Sequence, residues 1–209
     1  VYIALKQFRR AVEDCQAGIR INPQFARIYK RLFKSQMALG NLVEAQEALE
    51  TAIQLDPNDQ TNAKDKEAMT TLNHMLNLLD RFTNDTSDQD YDRAVTYCTN
   101  ILTSCPAAPG YAAMKCEYLL RALKLKEAKE FSAELMKNPD MMNSPLVKCW
   151  RGRIIFYAGQ ENAGKQMLQD VLREDPDMTD AMRTIKAIKV ATVRKEEAGN
   201  LFKQNQFEQ

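Results

Sequence analysis

Four times in this chain a proline follows a small residue by twelve positions, and the small residues recur at an interval of thirty-four. Ala11 precedes Pro23 and Ala45 precedes Pro57, so both members advance together by 34 residues. Ala94 with Pro106 and Gly164 with Pro176 keep the internal spacing, and Ala128 stands 34 residues after Ala94. Each small residue is followed four positions later by a packing residue: Cys15, Leu49, Cys98, Ser132 and Leu168. A 34-residue unit of two amphipathic helices cannot bury its apolar faces alone and must stack on its neighbours. The expected fold is an all-α solenoid in which length counts repeats, about five or six of them, with no single central core.

The totals bound what such a solenoid can do. Lys and Arg number 29 against 28 Asp and Glu, a net charge of +1, so an electropositive site must come from local arrangement. Generic nucleic-acid binding is disfavoured, because it needs a basic groove. No apolar stretch approaches the roughly 18 residues of a membrane span, and nothing at the start resembles a secretory signal. Cys15, Cys98, Cys105, Cys116 and Cys149 form no C-x-x-C pair and read as reduced core thiols, which suits a cytoplasmic setting. His74, the single histidine, has no cysteine or second histidine at ligand spacing, so neither a metal nor another cofactor is expected. The chain starts at Val1 partway through a helix pair and stops one residue before the next expected small position, as a fragment would.

Breakers divide the chain. Residues 1–5 read as the tail of one helix and 7–20 as its partner, closed by Ile21-Asn22-Pro23. Residues 24–39, the turn Gly40-Asn41 and residues 42–55 make one complete pair. Pro57 and Pro106 are 49 residues apart, 15 more than the period, which lengthens a first helix by about four turns at 3.6 residues each. Met69, Leu72, Met75, Leu76 and Leu79 recur at threes and fours within residues 61–82, as one long amphipathic helix requires. Residues 83–90 carry polar turn chemistry and 91–104 resume as the second helix. Further pairs are expected at 111–123 with 127–137 and at 146–158 with 161–174, and one rod over 180–204. The resulting domains are 1–57, the end of one array; 58–176, a second array opened by the long helix; and 177–209, a spacer helix and the start of a third.

These intervals, with Tyr29-x2-Leu32 in the complete unit and Arg151-Gly152 before Gly164, resemble the tetratricopeptide repeat over nearly the whole chain. The resemblance implies a right-handed superhelical solenoid of helix-turn-helix repeats with long spacer helices. The inserted long helix, and the spacer running into Lys195-Glu-Glu-Ala-Gly-Asn-Leu-Phe-Lys, are similar to the middle of a cytosolic co-chaperone of the DnaJ type carrying successive arrays. Such arrays hold the acidic C-terminal tails of Hsp70 and Hsp90 in a concave groove through a carboxylate clamp. Its last two members are basic residues four apart flanking an aromatic, which the resemblance assigns to Arg27 and Arg31 around Tyr29. Both guanidinia would share one helix face and could fork onto carboxylates. The earlier clamp positions would precede Val1.

At the other end the resemblance assigns Lys195 to the first clamp lysine of a further array, three residues before Ala198. The family's clamp asparagine directly follows that small residue; here Gly199 stands there and Asn200 comes one later, about 100° further round the helix. The His-Pro-Asp signature of a DnaJ domain is not in this chain, so stimulation of ATP hydrolysis is not expected from it.

Against these readings stand plainer ones. Arg27 and Arg31 lie beside Lys30 and Lys34, and a basic cluster on a helix is ordinarily a solvated face. Met136, Met141, Met142, Met167, Met178 and Met182 suit core packing as well as an adaptable surface for unfolded clients, and Trp150 suits a repeat interface. His74, Asp80 and the run Asp85, Asp88, Asp90 lack a nucleophile, a phosphate loop or a paired-carboxylate pocket, so the chain is not expected to be an enzyme. Two functions remain: a co-chaperone adaptor that captures acidic Hsp70 or Hsp90 tails and assists client transfer, and a non-catalytic scaffold or client-holding solenoid.

Overall fold

A computed structural model describes residues 1–85 and 90–203. Among the described residues it contains α-helices and no strand: α1 (Phe8–Ile21), α2 (Ala26–Leu39), α3 (Leu42–Leu55), α4 (Asn62–Asn84), α5 (Tyr91–Ser104), α6 (Pro109–Arg121), α7 (Leu125–Leu135), α8 (Pro139–Met142), α9 (Pro145–Tyr157), α10 (Glu161–Glu174) and α11 (Thr179–Lys203). This is the all-α architecture of paired helices expected from the period. Part of the turn expected over 83–90, including Asp88, and position 204 of the expected rod lie outside the described residues.

The chain forms two compact units, Val1–Val147 and Lys148–Gln209, divided inside α9. Within the first unit the small residues of the second helices are sealed: Ala45, Ala94 and Ala128 are all 0% exposed. A methyl group at these positions lets neighbouring helix axes approach closely while still filling the gap. Phe33 of α2, Ala45, Ala48 and Leu49 of α3, and Met69 of α4 form one core cluster. Leu72, Leu79 and Phe82, further along α4, join Ala94, Cys98 and Ile101 of α5 and Tyr118 of α6 in another. The extra turns of α4 thus let one helix serve two neighbouring packing layers. Phe82, Tyr91 and Tyr118 close its far end, with Phe82 edge-on to Tyr118 at 5.6 Å between ring centroids.

The same unit is also tied together over long sequence distances. The Ala107 N–H donates to the Ala38 carbonyl at 2.9 Å, and Phe8, Ala38 and Ala107 share a core cluster. Gln7, at the N-cap of α1, makes no side-chain capping bond; the buried Asp140 carboxylate accepts from the Phe8 N–H instead. Asp140 can do so because Asn138-Pro139 starts the short helix α8, with the Asn138 side chain accepting from the Asp140 N–H. α8 has no counterpart among the expected elements, since four residues show no period.

Residues 1–5 do not form the expected tail of a helix. They form a single turn in which the Leu5 N–H donates to the carbonyls of Val1 and Tyr2, and Lys6 ends it at φ +56°.

In the second unit the helix crossing is tighter still. A Cβ at Gly164 of α10 would lie 2.7 Å from both the Gly152 carbonyl oxygen and the Phe156 nitrogen of α9, so the two backbones touch where other pairs carry alanine. Cys149, Leu168, Val171, Ala181 and Ile188 then form a core shared by α9, α10 and α11.

The α2–α3 and α9–α10 turns share one chemistry, and the α6–α7 turn departs from it. Gly40 sits at φ +82°, with the Asn41 N–H donating to the Gln36 carbonyl, and Gly159 sits at φ +84° with Gln160 bonded likewise to Ile155. At the equivalent place between α6 and α7 the left-handed residue is Leu123, φ +59° and 90% exposed, with Lys124 donating to the Leu119 carbonyl. A leucine there carries the Cβ–carbonyl crowding that glycine avoids, about 1 kcal/mol or more. Leu123→Gly is therefore expected to raise stability by about 1 kcal/mol in urea unfolding. Gly40→Ala should lower it by more, because its Cβ would also meet the Ala108 Cβ at 2.8 Å; equal midpoints for the two variants would contradict this account.

Candidate peptide-binding site

The expected basic cluster on α2 separates into two kinds of residue. Lys30, between the two arginines, is buried rather than solvated. Its ammonium donates to Thr61 Oγ1 at 2.7 Å and Asp65 Oδ2 at 2.9 Å, with Asp59 Oδ2 at 3.6 Å. Asp65 is equally buried, in the first turn of α4, where a carboxylate also suits the helix dipole. Lys30 therefore fastens α2 to the start of α4. The Asp59 carboxyl is held below its ordinary range, chiefly by the Thr61 N–H and hydroxyl that donate to it.

Arg27 and Arg31 remain exposed, one turn apart on α2, and neither forms an ion pair within 4.0 Å among the described residues. Tyr29 between them is half-buried. The Ile28 side chain lies against Gly18 of α1, where an added Cβ would meet its Cδ1 at 2.9 Å. Arg31 lines an open cavity of about 510 Å³ with Ile3, Ala11, Asp14, Cys15, Phe25 and Ile28, a mostly apolar wall beside a cation. Arg27 stands outside that lining. The arrangement offers two forked donors on one helix side, the second at the mouth of an apolar recess, which suits a peptide that carries carboxylates and an apolar side chain.

The other two expected site residues lie on α11, in the second unit. Lys195 is 74% exposed at its side chain, and its ammonium meets Glu161 Oε1 of α10 at 2.7 Å. The hydrogen bond from Lys195 lowers the Glu161 carboxyl and raises the Lys195 ammonium relative to their ordinary values. Asn200 is exposed five residues on, so the two side chains stand about 140° apart round the helix axis. The α2 pair shares a face; the α11 pair does not.

Among the described residues, no group of three or more His, Cys, Asp or Glu side chains gathers as a metal site would require. All five cysteines are free and buried. Burial pushes the thiols of Cys98, Cys105 and Cys116 up to about 12 and that of Cys149 to about 11, so they are inert packing groups. Trp150 is buried, with the Arg153 guanidinium 4.0 Å over its ring. Met141 is fully enclosed, whereas Met142 and Met182 are partly exposed. No helix among the described residues is long and apolar enough to cross a membrane.

Comparison with known proteins bears on the repeat fold. Residues 2–70 match the tetratricopeptide repeat family model. The chain is 24% identical over 203 residues to human DnaJ homolog subfamily C member 7, covering 97% of this chain and 40% of that protein. A shorter likeness, 34% over 59 residues, links it to Heat shock protein STI1 of Saccharomyces cerevisiae, covering 28% of this chain and 10% of that one. The crystal structure of the P58(IPK) TPR domain superposes with a TM-score of 0.68 at 16% identity, over 97% of this chain and 56% of that one. The chain thus spans two-fifths or less of the length of these curated relatives.

The Lys30–Asp65 pair has a measurable consequence. Lys30→Met strands a buried carboxylate and is expected to cost about 3–5 kcal/mol in urea unfolding. The double variant Lys30→Met/Asp65→Leu, which removes both charges, should recover most of that loss. A double variant as unstable as the single would show that the buried charges are not the source of the loss.

Proposed function

Taking the chain as a solenoid of tetratricopeptide repeats, a protein-interaction fold, we propose that it is part of a cytoplasmic co-chaperone adaptor that captures acidic C-terminal tails of Hsp70 or Hsp90. The observation that carries this reading is the pair Arg27 and Arg31: exposed, four residues apart on α2 and without an ion-pair partner within 4.0 Å among the described residues, while the lysine between them is neutralised. Fixed, unpaired guanidinia can each take a carboxylate in two parallel hydrogen bonds. The apolar recess beside Arg31 gives an adjoining apolar side chain somewhere to go. Similarity to a DnaJ homolog and to a heat shock protein supports chaperones as the partners. Capture of a terminal carboxylate is an established mode of peptide recognition.

Lys195 and Asn200 belong to this proposal as the opening of a further tail-binding array. Lys195 would have to leave Glu161 to reach a peptide, an exchange between exposed partners that costs little. Handing unfolded clients between chaperones is the biological outcome such an adaptor serves. A non-catalytic scaffold that grips internal surfaces of its partners is the second reading, and the exposed Met142 and Met182 are what favour it.

Titration of the chain, extended upstream to take in the earlier clamp positions, with an acidic chaperone-tail peptide as free acid and as C-terminal amide tests the proposal. Binding of the free acid with micromolar affinity, lost on amidation, is expected. Arg31→Ala should then weaken binding by about tenfold or more, since one charge-assisted hydrogen bond contributes about 1.5–3 kcal/mol. Equal binding of both peptide forms, or an Arg31→Ala variant with unchanged affinity, would leave the scaffold reading in its place.

A further inference from the structure

A second open surface lies in the second unit, along the part of α11 that precedes Lys195. Beside α11 lies a groove of about 400 Å³ whose apolar lining is Leu172 of α10 with Met182 and Ile185 of α11, Met182 being 44% exposed. Arg183, Lys186 and Lys189 line it as well. Between residues 179 and 195, α11 carries five basic side chains and a single acid, Asp180.

The acids of α10 are already engaged. On α10, Glu161 holds Lys195, Asp170 holds Arg173, and Glu174 holds Lys148. Among the described residues no carboxylate lies within 4.0 Å of Arg183, Lys186 or Lys189. An apolar floor edged by three cations without ion-pair partners is complementary to one kind of surface: an apolar face flanked by carboxylates.

The shape sets the form of the ligand. Met182, Ile185, Lys189 and Val193 recur at threes and fours, so they run as a stripe along about 16 Å of α11 at 1.5 Å per residue. Val193 continues the stripe beyond the groove and is 52% exposed. A straight stripe three turns long on one helix matches the apolar face of another helix laid along it. A nucleic acid would meet the cations but leave the apolar floor uncovered.

We propose that the groove between α10 and α11 is a binding surface for an acidic amphipathic helix of a partner protein. Recognition there depends on side chains along the helix and not on a free C-terminus, which sets it apart from tail capture at Arg27 and Arg31.

Fluorescence anisotropy on the whole chain tests this with an about 18-residue labelled helical peptide bearing leucines on one face and glutamates beside them, its C-terminus amidated. Micromolar binding is expected. Lys186→Glu should weaken it by roughly tenfold, and Lys186→Glu/Lys189→Glu by more. These side chains are exposed, so circular dichroism should be unchanged. Arg31→Ala should leave binding as it was. A scrambled peptide of equal charge, or a short DNA duplex, that binds as well would reduce the groove to simple electrostatics and overturn the proposal. So would unaffected binding in the Lys186→Glu/Lys189→Glu variant. Self-association of the chain abolished by the same variant would assign the groove to a second copy instead. Loss of peptide binding when the chain is extended beyond residue 209 would assign it to the segment that follows.

Discussion

Close contact between helix backbones at the small position of each second helix is the constraint on which the rest of this structure depends. Ala45, Ala94 and Ala128 are wholly enclosed, and at Gly164 even a methyl group has no room. A larger side chain would push the helices apart and open gaps along every contact above and below, since interiors of this density transmit strain. Once the crossing is fixed, the residues one turn along, Leu49, Cys98 and Leu168, fall into the seam and are buried with it. Cys98 is inert for that reason: burial raises its thiol and leaves it as a small apolar group.

Much of this was legible in the sequence because the crossing and the breakers repeat. The ranges 42–55, 91–104 and 161–174 coincide with α3, α5 and α10, whose ends are fixed on both sides by turn residues. First helices were less sharply marked: α6 begins at Pro109, where proline suits the first helical position, rather than at residue 111 after it. What left no trace were contacts between residues far apart in sequence. The Asp140–Phe8 cap spans 132 positions and the Ala107–Ala38 bond 69, and neither belongs to a period. Leu123 carries no sequence signal for the opposite reason. It occupies a glycine's place in the repeat, and the surrounding hairpin imposes the left-handed conformation on it.

At the candidate site, the pair Arg27 and Arg31 was legible because four residues make one helical turn. Lys30 was not, because a lysine between two arginines reads as one more solvated cation. Its burial depends on Asp59, Thr61 and Asp65, about 30 positions later and beyond the whole of α3. The pair also stiffens the site. By tying α2 to the start of α4, it fixes the helix on which both arginines stand, so less order has to be imposed when a peptide arrives.

A chain with nearly equal numbers of acids and bases can be electropositive only where its acids are spoken for. On α2 that is achieved by burying Lys30 with Asp65, beside Asp59, so that these two acids are taken up by the lysine between Arg27 and Arg31. On α10 and α11 it is achieved at the surface, where Lys148, Arg173 and Lys195 occupy the acids of α10 and leave Arg183, Lys186 and Lys189 uncompensated. The two mechanisms differ in strength. A buried pair is held by its surroundings and is little affected by salt, whereas exposed pairs are screened within about 10 Å at 0.1 M. The field around α2 is therefore built into the packing, while that around α11 rests on exposed pairs that trade readily with a competing anion.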